Sequence, residues 1–131
     1  MSVESWEPGS APRHITSADL ERLLKAANAL ESPDFGLNGV EISDLAALAR
    51  HPQVDWTPVA AGLDDAALVA LVQLYTLAEK LPGWEAGAKS PVIVLAAQLR
   101  ERGVYPEDLT AWIRANTDNR FLPYGNLMDR L

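Results

Sequence analysis

Leu20, Leu23, Leu24, Ala27 and Leu30 recur at i, i+3, i+4, i+7 and i+10, an apolar stripe with helical period. Asp19, Glu21, Arg22, Lys25 and Asn28 occupy the opposite side. The pattern predicts a first helix from Thr16 or Ser17 to Glu31, with Thr16 as N-cap, Asp19 three residues on, and Ser32-Pro33 as the stop.

The period then breaks. Asn38-Gly39 between Leu37 and Val40 has the form of a type I′ hairpin turn, but flanks of about three residues are too short for a stable sheet, so an ordered loop is expected. Ser43 reads as the cap of a short helix from Asp44 to Arg50, ended by His51-Pro52. Thr57-Pro58 reads as a further cap and first turn, closed at Gly62.

Residues 64–102 carry the densest apolar pattern. A helix opened by Asp64-Asp65 reaches Lys80, with only Gln73 and Thr76 interrupting Leu68, Val69, Leu71, Val72, Leu74, Tyr75 and Leu77. A helix apolar nearly all round is buried on several sides. LPGWEAGA connects it to a second helix, with Ser90 as cap, Pro91 in the first helical position, and Gly103 as left-handed stop after Arg102. A last helix starts at Pro106, with Glu107 and Asp108 in its first turn, and ends near Asn116. Pro123 and Gly125 break the remainder of the chain, leaving room for one helical turn at 126–131.

The expected architecture is therefore all-α, a single domain of five or six helices around a central antiparallel hairpin at 64–102. Residues 1–15, rich in Ser, Pro, Gly and Glu, read as an irregular arm containing Trp6. Residues 117–131 read as a C-terminal strap.

Composition narrows the chemistry. The chain has 131 residues, a hydrophobic share of 48% and no cysteine, which excludes disulfides, thiolate metal sites and Cys nucleophiles. Neither a signal segment nor a membrane-length apolar run is visible, so a cytoplasmic protein without a membrane role is expected. The net charge of −7 argues against nucleic acid as a partner. All of it lies in residues 1–65, where four basic residues face eleven carboxylates; residues 66–131 hold seven of each sign, leaving scope for a local basic patch.

No constellation spells a reaction. GWEAGAKS, residues 83–90, has the wrong spacing for a phosphate-binding P-loop and follows a helix instead of a strand. Lys89, Ser90 and the amides of Val92 and Ile93 form a candidate small-anion site, against ordinary N-capping by Ser90. His14 lies in the leader, and His51 at a helix end is better placed to meet the helix dipole than to act as a base. Glu79 and Glu85 flank the central connection and could meet as paired carboxylates. No spacing suggests a metal, and no cofactor is expected.

The strongest recognition chemistry lies at the end of the chain. Arg114, Asn116, Asn119, Arg120 and Tyr124, with Trp112 and Phe121, combine guanidinium forks, amides and aromatic faces, the types enriched in interfaces. A structural strap would use Phe121 and Leu122 as plugs and the asparagines as caps. The expected function is a non-enzymatic binding or adaptor protein that engages a protein partner through this surface. The alternative is a small enzyme or small-anion receptor with polar groups converging near Lys89, Ser90 and Arg120.

Overall fold

The computed structural model describes residues 15–125. All regular structure among them is helical: α1 (Ser17–Ala27), α2 (Gly39–Ala49), α3 (Gln53–Gly62), α4 (Asp65–Leu77), α5 (Pro91–Glu101) and α6 (Leu109–Asn116). Short 3-10 turns lie at Pro33–Gly36, Ala78–Lys80 and Gly87–Lys89. The arm before Ile15, with Trp6 and His14, and the turn expected at 126–131 lie outside the described residues.

The caps set the starts. Thr16 accepts from the Asp19 amide at 3.1 Å while the Asp19 carboxylate accepts from the Thr16 amide at 3.1 Å, satisfying two helix-end donors. Asp64 accepts from Ala67 at 2.8 Å to start α4, and Ser90 accepts from Val92 at 3.2 Å to start α5 with Pro91 in place. Gly103 (φ 73°) supplies the left-handed stop.

Five boundaries differ from the sequence pattern, the first being α4, which ends at Leu77 and passes into a 3-10 turn over the three residues to Lys80. α1 stops at Ala27, short of Glu31, and its stripe ends in turns. α2 begins at Gly39, not Asp44, because Asn38 is an N-cap: its side chain accepts from Glu41 at 2.8 Å and Glu41 returns the bond at 3.1 Å. The cap is therefore Asn38 rather than Ser43, and the Asn-Gly pair starts a helix instead of turning a hairpin. α3 begins at Gln53, so Pro58 lies within it. Pro58 removes the amide that would serve the carbonyl of Val54, but Val54 is exposed, so water can take that acceptor. α6 begins at Leu109, with Glu107 and Asp108 in the turn before it.

α4 and α5 make the most extensive helix–helix contact, and α3 and α1 pack against this pair. Leu71, Val72 and Leu74 of α4 and Leu95 and Leu99 of α5 are fully buried. Arg102 ties three elements together, reaching Asp65 at 2.9 Å and the carbonyls of Ala60 and Ala61 at 3.2 and 3.1 Å. Arg22 joins α1 to α2 through Asp19 (2.8 Å) and Asp44 (2.9 Å). No described helix is long and apolar enough to cross a membrane.

Tyr75 sits in the aromatic centre, its ring 5.6 Å from Trp56 edge-on and 5.7 Å from Trp84. Both tryptophans satisfy their N–H groups, Trp56 at the Leu48 carbonyl (3.0 Å) and Trp84 at the Ile42 carbonyl (2.9 Å). The buried Tyr75 hydroxyl finds no hydrogen-bond partner among the described residues. Burial, with the nearby Asp19 charge adding to it, pushes its pKa well above the ordinary tyrosine range. Tyr75→Phe removes a desolvated hydroxyl and keeps the ring. We expect it to raise stability by about 1 kcal/mol in chemical denaturation. A loss of about 1 kcal/mol would mean the hydroxyl is bonded and contributes to the fold.

Candidate functional site

Glu79 lies in the 3-10 turn after α4, and its carboxylate fastens the segment following α6. The Thr117 hydroxyl donates to Oε1, and Asn119 Nδ2 donates to Oε2 at 2.7 Å. The same amide nitrogen reaches the Gly87 carbonyl at 3.1 Å, while Asn119 Oδ1 accepts from the Phe121 amide at 3.0 Å. One asparagine thus joins the strap to both sides of the connection between α4 and α5. Leu122 and Pro123 are then buried. Gly125 (φ 87°) lies so close to α5 that an added Cβ would stand 3.1 Å from the Ile93 side chain, which would have to shift, and the positive φ would strain any other residue there.

The connection is itself anchored. Trp84 is buried, Arg50 Nε donates to the Glu85 carbonyl at 3.1 Å, and Gln53 donates to the Ala88 carbonyl at 3.2 Å. Between strap, connection and the turn after α1 lies a cavity of about 670 Å³, lined by Phe35, Glu79, Lys80, Asn116, Arg120 and Phe121 among others. That volume falls in the range of small-ligand and side-chain pockets, roughly 300–1,000 Å³.

One wall is strained. Asp34 (φ 51°) and Phe35 (φ 58°) both adopt left-handed backbone before Gly36. For residues with a side chain this costs about 1–2 kcal/mol each. Burial of the Phe35 ring offsets part of it, and the Lys80 ammonium sits 5.1 Å from the ring centre. A second cavity of about 700 Å³ is bounded by Asp34, Ile42, Lys80 and Pro82. Lys80 lines both.

The residues singled out in the sequence fall into three places. Asn116, Asn119 and Arg120 line the first cavity; Asn116 also donates to the Trp112 carbonyl at 2.7 Å as it ends α6. Arg114 and Tyr124 lie together elsewhere, the guanidinium 5.8 Å from the ring centre. Lys89 is exposed in its 3-10 turn and Ser90 is buried as the cap of α5, and neither lines the cavity that Arg120 enters. Glu79 and Glu85 both line it, but the Glu79 carboxylate is occupied by Thr117 and Asn119. Phe121 is half-buried on the cavity wall, so Leu122 is the deeper plug; Trp112 is half-buried against the core. His51 is buried with Nε2 3.3 Å from Asp55 Oδ2, a contact across the α2–α3 corner.

Sequence reasoning did not find Arg100, Tyr105 or Phe35. Arg100 lies 5.2 Å from the Tyr124 ring centre and 5.6 Å from that of Tyr105. Tyr105 shares a 2.8 Å hydrogen bond with Thr110. Burial raises the Tyr105 pKa above its ordinary value, the Thr110 bond opposes this, and the charges of Arg100 and Arg114 also lower it. Among the described residues, no three His, Cys, Asp or Glu side chains gather as metal ligands would. No family model matches the chain, and no curated protein or solved structure is significantly similar to it.

Proposed function

We propose that the protein is a cytoplasmic, non-enzymatic binding or adaptor protein that engages a protein partner through the surface built by its C-terminal strap, with no nucleic acid or membrane role. The observation that carries this reading is the coincidence of recognition chemistry with concavity. Asn116, Arg120 and Phe121 line a cavity of about 670 Å³ that Phe35 and Lys80 also line. Aromatic, cationic and amide groups lining one concavity suit a partner side chain inserted there and hydrogen-bonded at the rim. A catalytic reading draws less support. Lys89 and Ser90 stand outside the cavity, and the Glu79 carboxylate is already bonded.

Affinity capture from the source cells, read by mass spectrometry, tests the proposal with wild type and Asn116→Ala/Arg120→Ala. Both positions are exposed, so the variant should fold, with loss of the Asn116 bond to the Trp112 carbonyl lowering stability by about 1 kcal/mol at most. Loss of an interface arginine costs about 2 kcal/mol, roughly thirtyfold in affinity, so partners held by the wild type should drop out. Recovery of the same partners at the same yield would overturn the proposal.

A further inference from the structure

Five of the described residues that carry a guanidinium spend it differently, and the difference marks a second surface. Arg22 pairs with Asp19 and Asp44, Arg102 with Asp65 and two carbonyls, and Arg50 with the Glu85 carbonyl. Arg100 and Arg114 have no carboxylate within 4.0 Å among the described residues and no hydrogen bond to a protein acceptor there. Instead both lie on one ring, that of Tyr124, at 5.2 and 5.8 Å. We propose that Arg100, Arg114 and Tyr124 form a docking site for an acidic segment of a protein partner, one that presents carboxylates to the two guanidinium forks.

The ring organises the forks. Tyr124 follows the buried Leu122 and Pro123 and precedes Gly125, which is pressed against Ile93, so its position is set by the packing of the strap on α5. A guanidinium lying over an aromatic ring has its apolar face covered and keeps its in-plane N–H donors for a planar acceptor, which a carboxylate matches in bidentate fashion. Side chains held in this way lose less freedom on binding. Two cations sharing one ring also repel each other, and an anionic partner relieves that repulsion.

The surface chooses among anions. Both arginines are exposed, and neither cavity described above includes Arg100, Arg114 or Tyr124, so a small ion would have no enclosing walls. A segment laid across the surface, with carboxylates on successive side chains, engages both forks at once. The inference rests on reading the chain as a binding protein but uses a different face from the Phe35–Phe121 cavity.

The test is fluorescence anisotropy of a labelled hexaglutamate peptide with the full chain at low ionic strength. Wild type should bind, binding should weaken as salt is raised, and Arg100→Gln/Arg114→Gln should weaken it about tenfold or more. The cavity variant Asn116→Ala/Arg120→Ala should keep peptide binding, so failure of one surface is distinguishable from failure of the other. Equal binding by wild type and the arginine double variant would overturn the proposal. Displacement of the peptide by equimolar inorganic phosphate would overturn it in favour of a small-anion site. Sedimentation showing self-association that the double variant abolishes would overturn it in favour of a second copy of this chain. Should the double variant fail to fold, NMR titration of wild type decides. Shifts confined to the Arg100 and Arg114 Nε–H and Tyr124 ring signals support the site, and shifts elsewhere contradict it.

Discussion

Trp84→Ala is expected to lower the stability of the domain by about 3–5 kcal/mol, the range for a buried aromatic truncated to a methyl. Trp84 is almost fully buried, packs 5.7 Å from the Tyr75 ring, and donates to the Ile42 carbonyl at 2.9 Å. It therefore holds the connection between α4 and α5 against α2. Glu85 and Gly87 in that connection line the cavity, so its loosening should also weaken partner binding. Trp84→Phe keeps much of the apolar volume but loses the N–H donor, and should cost less. Urea denaturation measures both. A Trp84→Ala loss below about 1 kcal/mol would show that the connection does not depend on this anchor.

Trp84 also illustrates which features are legible in the chain and which are not. Helical periodicity and caps are local, so Thr16, Asp64 and Ser90 announce their helices, and the apolar runs at 64–102 mark the core. LPGWEAGA carries no period, and nothing within it says that its tryptophan reaches a carbonyl 42 residues away. Asn38-Gly39 is ambiguous for a physical reason. A short side chain that bonds nearby backbone serves a tight turn and a helix cap equally well, and Glu41 three residues on is the discriminating signal. The left-handed backbone at Asp34 and Phe35 is tolerated by Asp but goes against the preference of Phe, whose burial no local pattern reports.

The candidate site divides in the same way. The residue types at 114–124 are conspicuous, yet their division into two faces depends on long-range partners. Asn119 turns toward Glu79 and Gly87, 40 and 32 residues away. Tyr124 meets Arg100 as well as Arg114, and Arg100 reads in the sequence as one more charge near a helix end.

Glu79→Ala carries the second large effect. It strips the acceptor from Thr117 and Asn119 together, and charge-assisted bonds of this kind are worth about 1.5–3 kcal/mol each when buried. The carboxylate is only half-buried, so we expect a combined loss of about 2–3 kcal/mol, with partner binding reduced because the strap forms one cavity wall. Glu79→Gln should recover only part of this. With its oxygen toward Asn119 Nδ2 and its NH₂ donating to the Thr117 hydroxyl, the amide can keep both contacts, but it loses the charge that strengthens them.

Amide hydrogen exchange over residues 117–125, in wild type and Glu79→Ala, tests most directly that this segment is a fastened strap and so a defined binding surface. The Asn119, Phe121 and Leu122 amides donate to Thr117 Oγ1, Asn119 Oδ1 and the Asn119 carbonyl, and should be protected in wild type. In Glu79→Ala they should exchange far faster while α4 and α5 keep their protection. Equal exchange in the two proteins, or no protection of these amides in wild type, would contradict the account.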